Sequence, residues 1–321
     1  MTNPVLKFAD VPLVRPADRR GDADWLTARL NREDTRVIPV WRDLNLIGDG
    51  EAPARPSAVI CVHPAAADVL AASCETVFLG MEDGRAVFAA DLSDADEGDA
   101  TAAAGSRGTF QDLWRAGPSI ETRGAALMAY ARGMLYWHRQ NRHCGRCGHH
   151  TESRDGGHRR RCTRKGCGGT LFPRIDPAVI TLVEFRPDGG GPPRCLLGNH
   201  HRPPPNVFST LSGYSEPGES LEETVAREVF EEVGVRVRSA YYQASQPWPF
   251  PSSLMLGFRA RAETTGITVN PDELVDARWF TAEEVRAFGE WGDESVAYAL
   301  PRRDSIARFL VDSWVSEVSA Q

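Results

Sequence analysis

Apolar residues recur every four positions at Leu221, Val225, Val229 and Val233, a stripe that predicts an amphipathic helix in a stretch otherwise crowded with glutamate. Ser220, with Glu223 three residues later, forms a capping-box pattern at its start, and Gly234 stands where a left-handed C-terminal residue is wanted. A longer helix is expected from Ser119 to Asn141, where Ala126, Leu127, Tyr130, Met134, Leu135 and Trp137 make a broad apolar face that reads as a connecting helix packed on a core. Strand-like runs occupy Val37 to Val40, Ala58 to Val62, Thr76 to Gly80 and Ala86 to Ala90, and later Val179 to Val183, Arg194 to Gly198 and the run Leu254 to Phe258. Asp91 to Gly108, acidic and then rich in Ala and Gly, reads as a mobile loop, and Gly189 to Pro193 as another.

Strand and helix signals in both halves point to an α/β organisation. The expected division is an N-terminal α/β domain of open role over residues 1–118, a connecting helix over 119–141, a cysteine-rich module over 142–170 and a second α/β domain over 171–321. A length of 321 residues suits two domains with real cores, and 25 % charged against 41 % hydrophobic residues is ordinary for a globular chain. No apolar run approaches the roughly 18 residues a spanning helix needs, and the N-terminus lacks a signal-peptide layout, so no membrane and a cytoplasmic location are expected. Of the seven cysteines, four are clustered while Cys61, Cys74 and Cys195 are scattered, which argues against a secreted disulfide framework.

Cys144-x2-Cys147 and Cys162-x4-Cys167 have the spacing of two zinc-ribbon knuckles, which supply four thiolates to one Zn²⁺. The second gap is wider than usual, leaving His149, His150 or His158 open as a replacement for one cysteine. A closed four-thiolate site has no open position and reads as structural. Residues 142–174 carry a formal charge of +7 in a chain of −7, so the remainder carries −14. This concentration, with Arg159, Arg160 and Arg161 at its centre, offers a local track for phosphates, or merely keeps a small module soluble.

On the glutamate-rich helix, Glu228 and Glu232 are four apart with Glu231 between them. Like charges so placed repel, and a multivalent cation relieves the repulsion. Carboxylate ligands suit Mg²⁺ or Mn²⁺, which also bind substrate phosphates. The plainer alternative is a solvated acidic face. Downstream, Ser245 to Ser253 reads SQPWPFPSS: three prolines hold Trp248 and Phe250 at low entropy cost, as a lid over a core or as contacts for a nucleobase or nicotinamide ring.

The full pattern from Gly213 through Glu219, Arg227, Glu228, Glu231, Glu232 and Gly234 to Val235 resembles the Nudix box with no position missing. Together with the preceding cysteines and the SQPWPFPxS run, it resembles the NADH pyrophosphatase branch of the Nudix hydrolases, the NAD-capped RNA hydrolases, over about Ala125 to Val315. The resemblance implies a Nudix fold with a mixed sheet between helices, and a homodimer. It implies metal-dependent hydrolysis of the NAD(H) diphosphate to nicotinamide mononucleotide and AMP, and removal of the NAD cap from RNA.

Residue by residue, it implies catalytic metal on Glu228, Glu231, Glu232, Glu273 and the carbonyl of Ser212, with the role of base open among the clustered glutamates. Substrate contacts are implied at Gln246, Pro247, Trp248, Pro249, Phe250, Pro251, Ser252 and Ser253, and at Ala307. Phe172, where the branch usually has Tyr, and Tyr214, where it often has Phe, are expected to flank the substrate's rings. Arg227 is expected to tie to Glu219 and shape the loop. The rival functions are a broader ADP-ribose or dinucleotide pyrophosphatase and a nucleic-acid-binding zinc module on an inactive Nudix scaffold.

Overall fold

A computed structural model describes residues 5–49 and 56–320, and the chain divides into two units. One comprises Lys7–Ile175 with Trp248–Ser252; the other comprises Asp176–Pro247 and Ser253–Gln321, to which Leu6 also belongs.

In the first unit the described elements run α1 (Ala23–Leu30), β1 (Arg36–Trp41), β2 (Leu44–Asp49), β3 (Pro56–Ala58), α2 (Ala65–Ala72), β4 (Glu75–Glu82), β5 (Arg85–Asp91), α3 (Glu97–Ala103), β6 (Thr109–Gln111), α4 (Leu113–Ala116) and α5 (Thr122–Gln140). The sheet has the order β3-β2-β1-β5-β4 with β6 beside β2, and β1 runs parallel to β5. Strand alternation sorts its two faces. Val37 and Trp41 meet Ala65, Ala66 and Val69 of α2, whereas Ile38 and Val40 meet Leu127, Ala131, Met134 and Leu135 of α5.

Two expectations change here. Asp91 to Gly108 is not a loop throughout: Asp96 accepts from the Asp99 amide and starts α3, whose Ala100, with Ala104 just beyond, is buried in the α2 cluster. Small side chains that look featureless in sequence are what allow this close helix packing. The long helix begins three residues later than expected, because the Glu121 side chain accepts from the Arg123 and Gly124 amides and caps it there.

The cysteine-rich segment follows as a three-stranded sheet, β7 (Thr151–Arg154), β8 (Arg159–Cys162) and β9 (Thr170–Leu171). It docks on the same unit through buried polar contacts. Arg160, 6 % exposed, donates to Glu75 (2.6 Å) and to Thr151, and its guanidinium also lies 2.6 Å from His138 Nδ1. His138 Nε2 lies 2.7 Å from the Gly157 carbonyl, and Gly157 has φ 89°, with a Cβ there falling 2.8 Å from Val77. Only glycine permits that approach.

The second unit contains β10 (Asp176–Phe185), β11 (Arg194–His200), β12 (Phe208–Ser209), β13 (Leu211–Tyr214), α6 (Leu221–Val233), β14 (Val237–Trp248, whose last residue belongs to the first unit), β15 (Ser253–Ala262), β16 (Leu274–Thr281), α7 (Ala282–Arg286) and α8 (Ile306–Ser319). Its mixed sheet has the order β12-β11-β10-β15-β14, with β13 on β10 and β16 on β11. Val179 and Val183 face Val225, Val229 and Val233 of α6; Ile180 and Leu182 face Ile306, Leu310, Val311 and Trp314 of α8. The sheet lies between helices, and β13 leads the chain directly towards α6.

Candidate functional site

The capping box on Ser220 and Glu223 is formed at the start of α6, and Gly234 ends the helix at φ 69°. The valine stripe anchors one side, which sets where the glutamates lie. Glu232, adjacent to Val233, is only 2 % exposed, and its Oε2 has no hydrogen-bond partner among the described residues. Burial first, then the charges of Glu273 and Glu228, push its carboxyl up to about 8, against a hydrogen bond with the Ser212 backbone. Glu228 is also pushed up, chiefly by burial. A buried carboxylate with an orphaned oxygen beside two more acids could hold a cation, which would offset their repulsion.

Glycine makes room for this arrangement. A Cβ on Gly213 of β13 would fall 1.9–2.1 Å from the Glu228 carboxyl atoms, so that carboxylate occupies space no other residue would leave. Arg227 organises the opposite edge. It donates from Nε and Nη2 to Glu219, from Nη1 to both Glu228 and Glu231 at 2.9 Å, and from Nη2 to the Tyr214 carbonyl. Its hydrogen bonds hold Glu219 down at about 2, so the loop-shaping pair stays ionised. Glu273 reaches this region from a separate turn, in which the Asn270 amide donates to the Glu232 carbonyl and the Asn270 side chain to Glu273. Ser212, Glu228 and Glu273 thus stand near Glu232, and Glu231 shares Arg227 with Glu228.

The other expected contacts separate into exposed rings and buried anchors. Phe172 is 66 % exposed in the first unit; Tyr214, in the second, is 56 % exposed, with its hydroxyl 3.0 Å from Ser253 Oγ. Gln246 is fully buried: its Nε2 donates to the Asp304 carbonyl and its Oε1 accepts from the Ile306 amide, both at 2.8 Å. It pins the start of α8, on which Ala307 follows and is itself buried. Trp248 and Phe250, read as a lid over a core or as contacts for a substrate ring, are half-buried: their rings meet each other edge-on with centroids 5.2 Å apart, both meet Phe8, at 5.9 and 5.4 Å, and they pack against a core that includes Ile47, Leu113 and Met128. Pro249 between them is buried, Pro247 and Ser252 are half-buried and Pro251 is exposed.

The thiol site is closed. Cys144, Cys147, Cys162 and Cys167 bring their sulfurs within 4.8 Å of one another, with Cys144–Cys167 at 3.9 Å and Cys147–Cys162 at 3.5 Å, and none is in a disulfide. Four sulfurs about 2.3 Å from a zinc ion would stand about 3.8 Å apart, so the set fits tetrahedral Zn²⁺. His149, His150 and His158 are not part of the set. The wider second gap closes because the Cys167 amide turns back onto the Arg164 carbonyl and Gly166 takes φ 79°. A hydrogen bond with the His149 backbone pulls the Cys147 thiol below the usual cysteine value, which favours the thiolate a metal needs.

A family model described as the NUDIX domain matches residues 175–300, and a second, the NADH pyrophosphatase-like rudimentary NUDIX domain, matches residues 35–137. The human protein named NAD-capped RNA hydrolase NUDT12 is 34 % identical over 342 residues, an alignment covering 96 % of this chain and 73 % of that one. The chain belongs to the Nudix hydrolase family. Two bacterial relatives carry the name NAD-capped RNA hydrolase NudC: that of Stutzerimonas stutzeri is 43 % identical over 190 residues, covering 59 % of this chain and 62 % of its own. That of Mycobacterium bovis is 38 % identical over 250 residues, covering 75 % and 76 %.

Within this Nudix chain, the sequence had marked every acid of the box, but not which would be buried. Glu228 also adjoins a valine of the stripe yet is only half-buried, so spacing alone does not decide burial. The basic residues also divide. Arg154 pairs with Glu152, Arg159 with Asp155 and Arg160 with Glu75, whereas Arg146, Arg161, Arg164 and Lys165 are exposed on and beside the two cysteine knuckles. Arg159, Arg160 and Arg161 are therefore not one track. Among the described residues no helix is long and apolar enough to cross a membrane.

Proposed function

We propose that this Nudix hydrolase cleaves the diphosphate of NAD(H), giving nicotinamide mononucleotide and AMP, and removes the NAD cap from RNA. The observation that carries the reading is Glu232: a buried carboxylate with an unpartnered oxygen, beside Glu228 and Glu273, inside a box complete in its acids. The names of the relatives that span most of the chain, and the rudimentary domain at 35–137, support the choice of substrate.

Glu228, Glu231, Glu232, Glu273 and the carbonyl of Ser212 would hold Mg²⁺ or Mn²⁺. Such ions supply neutralisation of the diphosphate and acidification of an attacking water. Glu232, whose Oε2 has no hydrogen-bond partner among the described residues, or Glu231 would accept a proton from the attacking water. Arg227 keeps Glu228 and Glu231 oriented from the outer edge, and Glu219 fixes Arg227. Tyr214 is the exposed ring beside the acids that would flank the substrate, while Gln246 pins the start of α8, on which Ala307 lies. Cys144, Cys147, Cys162 and Cys167 would hold a structural Zn²⁺, as reduced thiolates in the cytoplasm. Two copies form the working assembly, as light scattering should show.

Turnover of NADH and ADP-ribose, side by side with Mg²⁺ or Mn²⁺, tests the reading. NADH should be the better substrate and EDTA should abolish both activities. Flux on ADP-ribose far above that on NADH would replace it with the broader pyrophosphatase, and activity untouched by chelation would remove the metal mechanism.

A further inference from the structure

A residue outside every motif grips the Trp248–Ser252 loop. Arg132, in the middle of α5, is 8 % exposed. Its Nη1 donates to the Pro249 carbonyl, its Nε donates to the Asp43 carbonyl at 3.0 Å, and its guanidinium carbon stands 5.0 Å from the centroid of the Phe250 ring. Asp43 and Asp112 act on it only through space, and burial pulls its guanidinium below the usual arginine value.

A buried guanidinium without a carboxylate partner among the described residues is costly, and a methionine or leucine would fill a similar volume against Phe250 with less desolvation. Packing alone does not account for an arginine there. What it supplies is a rigid fork of donors and a flat cation for an aromatic face. The loop needs such a donor from outside. Prolines at 247, 249 and 251 remove three backbone N–H groups, and the loop's own bond is the Phe250 amide to the Trp248 carbonyl at 2.7 Å.

Both ends of the loop run covalently into anchored residues of the catalytic unit. Gln246 precedes it and holds the start of α8 before Ala307; Ser253 follows it and meets the Tyr214 hydroxyl. We propose that Arg132 is a positioning residue for substrate selection: by fixing the Pro249 carbonyl and the Phe250 ring it sets the loop, and through the loop's two ends the placement of Tyr214 and Ala307. The inference rests on the proposed NAD(H) reading and accounts for a role of the SQPWPFPSS run in selectivity while its two rings pack, half-buried, against a core.

The test uses the full chain carrying Arg132→Gln or Arg132→Lys, with NADH and ADP-ribose as substrates and thermal unfolding measured in parallel. Arg132→Gln should raise KM for NADH about tenfold while kcat and the KM for ADP-ribose change less than about threefold. Arg132→Lys, which keeps a cation and one donor, should recover part of the NADH KM. Equal losses on both substrates, or an unchanged NADH to ADP-ribose preference, would overturn the proposal. If Arg132→Gln does not fold, Arg132→Lys decides alone: it must show a smaller rise confined to NADH, and an unaltered preference overturns the idea. A wild-type chain that prefers ADP-ribose defeats the functional reading first, before any variant is compared.

Discussion

The thiol cluster and the acidic cluster of this molecule have opposite geometries. The four thiols arrive in pairs on two tight knuckles and converge until all lie within 4.8 Å, leaving no vacant direction at their centre. The carboxylates do not close in this way. Glu228 and Glu231 share a nitrogen of Arg227, Glu232 is buried on its own with a free oxygen, and Glu273 comes from a different turn. A soft, closed cage suits an ion that holds a fold together; an open array of hard oxygens suits ions that must also accept phosphate. The difference lies in geometry as much as in element preference.

Removing one ligand from each set should therefore give opposite signatures. Cys144→Ser has the largest expected effect on folding, since structural zinc binding contributes on the order of 10 kcal/mol in isolated zinc modules. Metal analysis should find one zinc per wild-type chain and less than one in the variant, with a lower unfolding temperature. A variant that loses its zinc without losing stability would break the contrast. Glu232→Gln should do the reverse, reducing kcat by roughly a hundredfold or more while the fold and the zinc persist. Wild-type turnover in that variant would place the base and the main ligand elsewhere.

The two halves also differ in the sign of their pH dependence. Burial, helped by the nearby charges of Arg20, His138 and Arg15, lowers His158, on the cysteine module, from 6.5 to about 4 against its contact with the Phe78 carbonyl. Its contribution is therefore whole above pH 6.5 and is lost as pH falls towards 4, by up to about 3 kcal/mol. Glu232 is raised from 4.5 to about 8, so without added Mg²⁺ or Mn²⁺ its contribution is whole below pH 4.5 and is lost as pH rises through 8. Calorimetry from pH 4 to 8 should show each limb, with His158→Gln flattening the acid side and Glu232→Gln the alkaline side. An acid limb that survives His158→Gln would assign it to another group.

The smallest effect concerns RNA. Neutralising Arg146, Arg161, Arg164 and Lys165, which are exposed, should weaken hydrolysis of NAD-capped RNA and shrink its log–log salt slope by about 0.7 per lost phosphate contact, with NADH hydrolysis level. Unchanged decapping at every salt concentration would leave the cysteine module with its structural role only. Arg160 should not be included, because its burial against Glu75 and His138 makes it part of the fold.

Local patterns were legible wherever near neighbours in the chain settle the outcome. The capping box, the left-handed Gly234, the valine stripe, the pairing of Arg227 with Glu219 and the two cysteine knuckles all span short separations, so spacing specifies them. Helix α3 was hidden because its stability depends on burying Ala100 and Ala104 against a distant helix. The direction of Trp248 and Phe250 was hidden for the same reason: prolines restrict a loop without saying which side its rings will face, and Phe8, some 240 positions away, receives them.

Sequence by itself determined which chemistry the chain carries: four soft ligands in two pairs, and a run of hard acids on one helix edge bounded by glycine. Tertiary structure alone decided which acid is buried and unpartnered, which arginines are spent on the fold, and that Arg132 grips the loop. The physical reason is that desolvation depends on what covers a group, and the covering residues come from elsewhere in the chain. A carboxylate's spacing is local, but its burial is not.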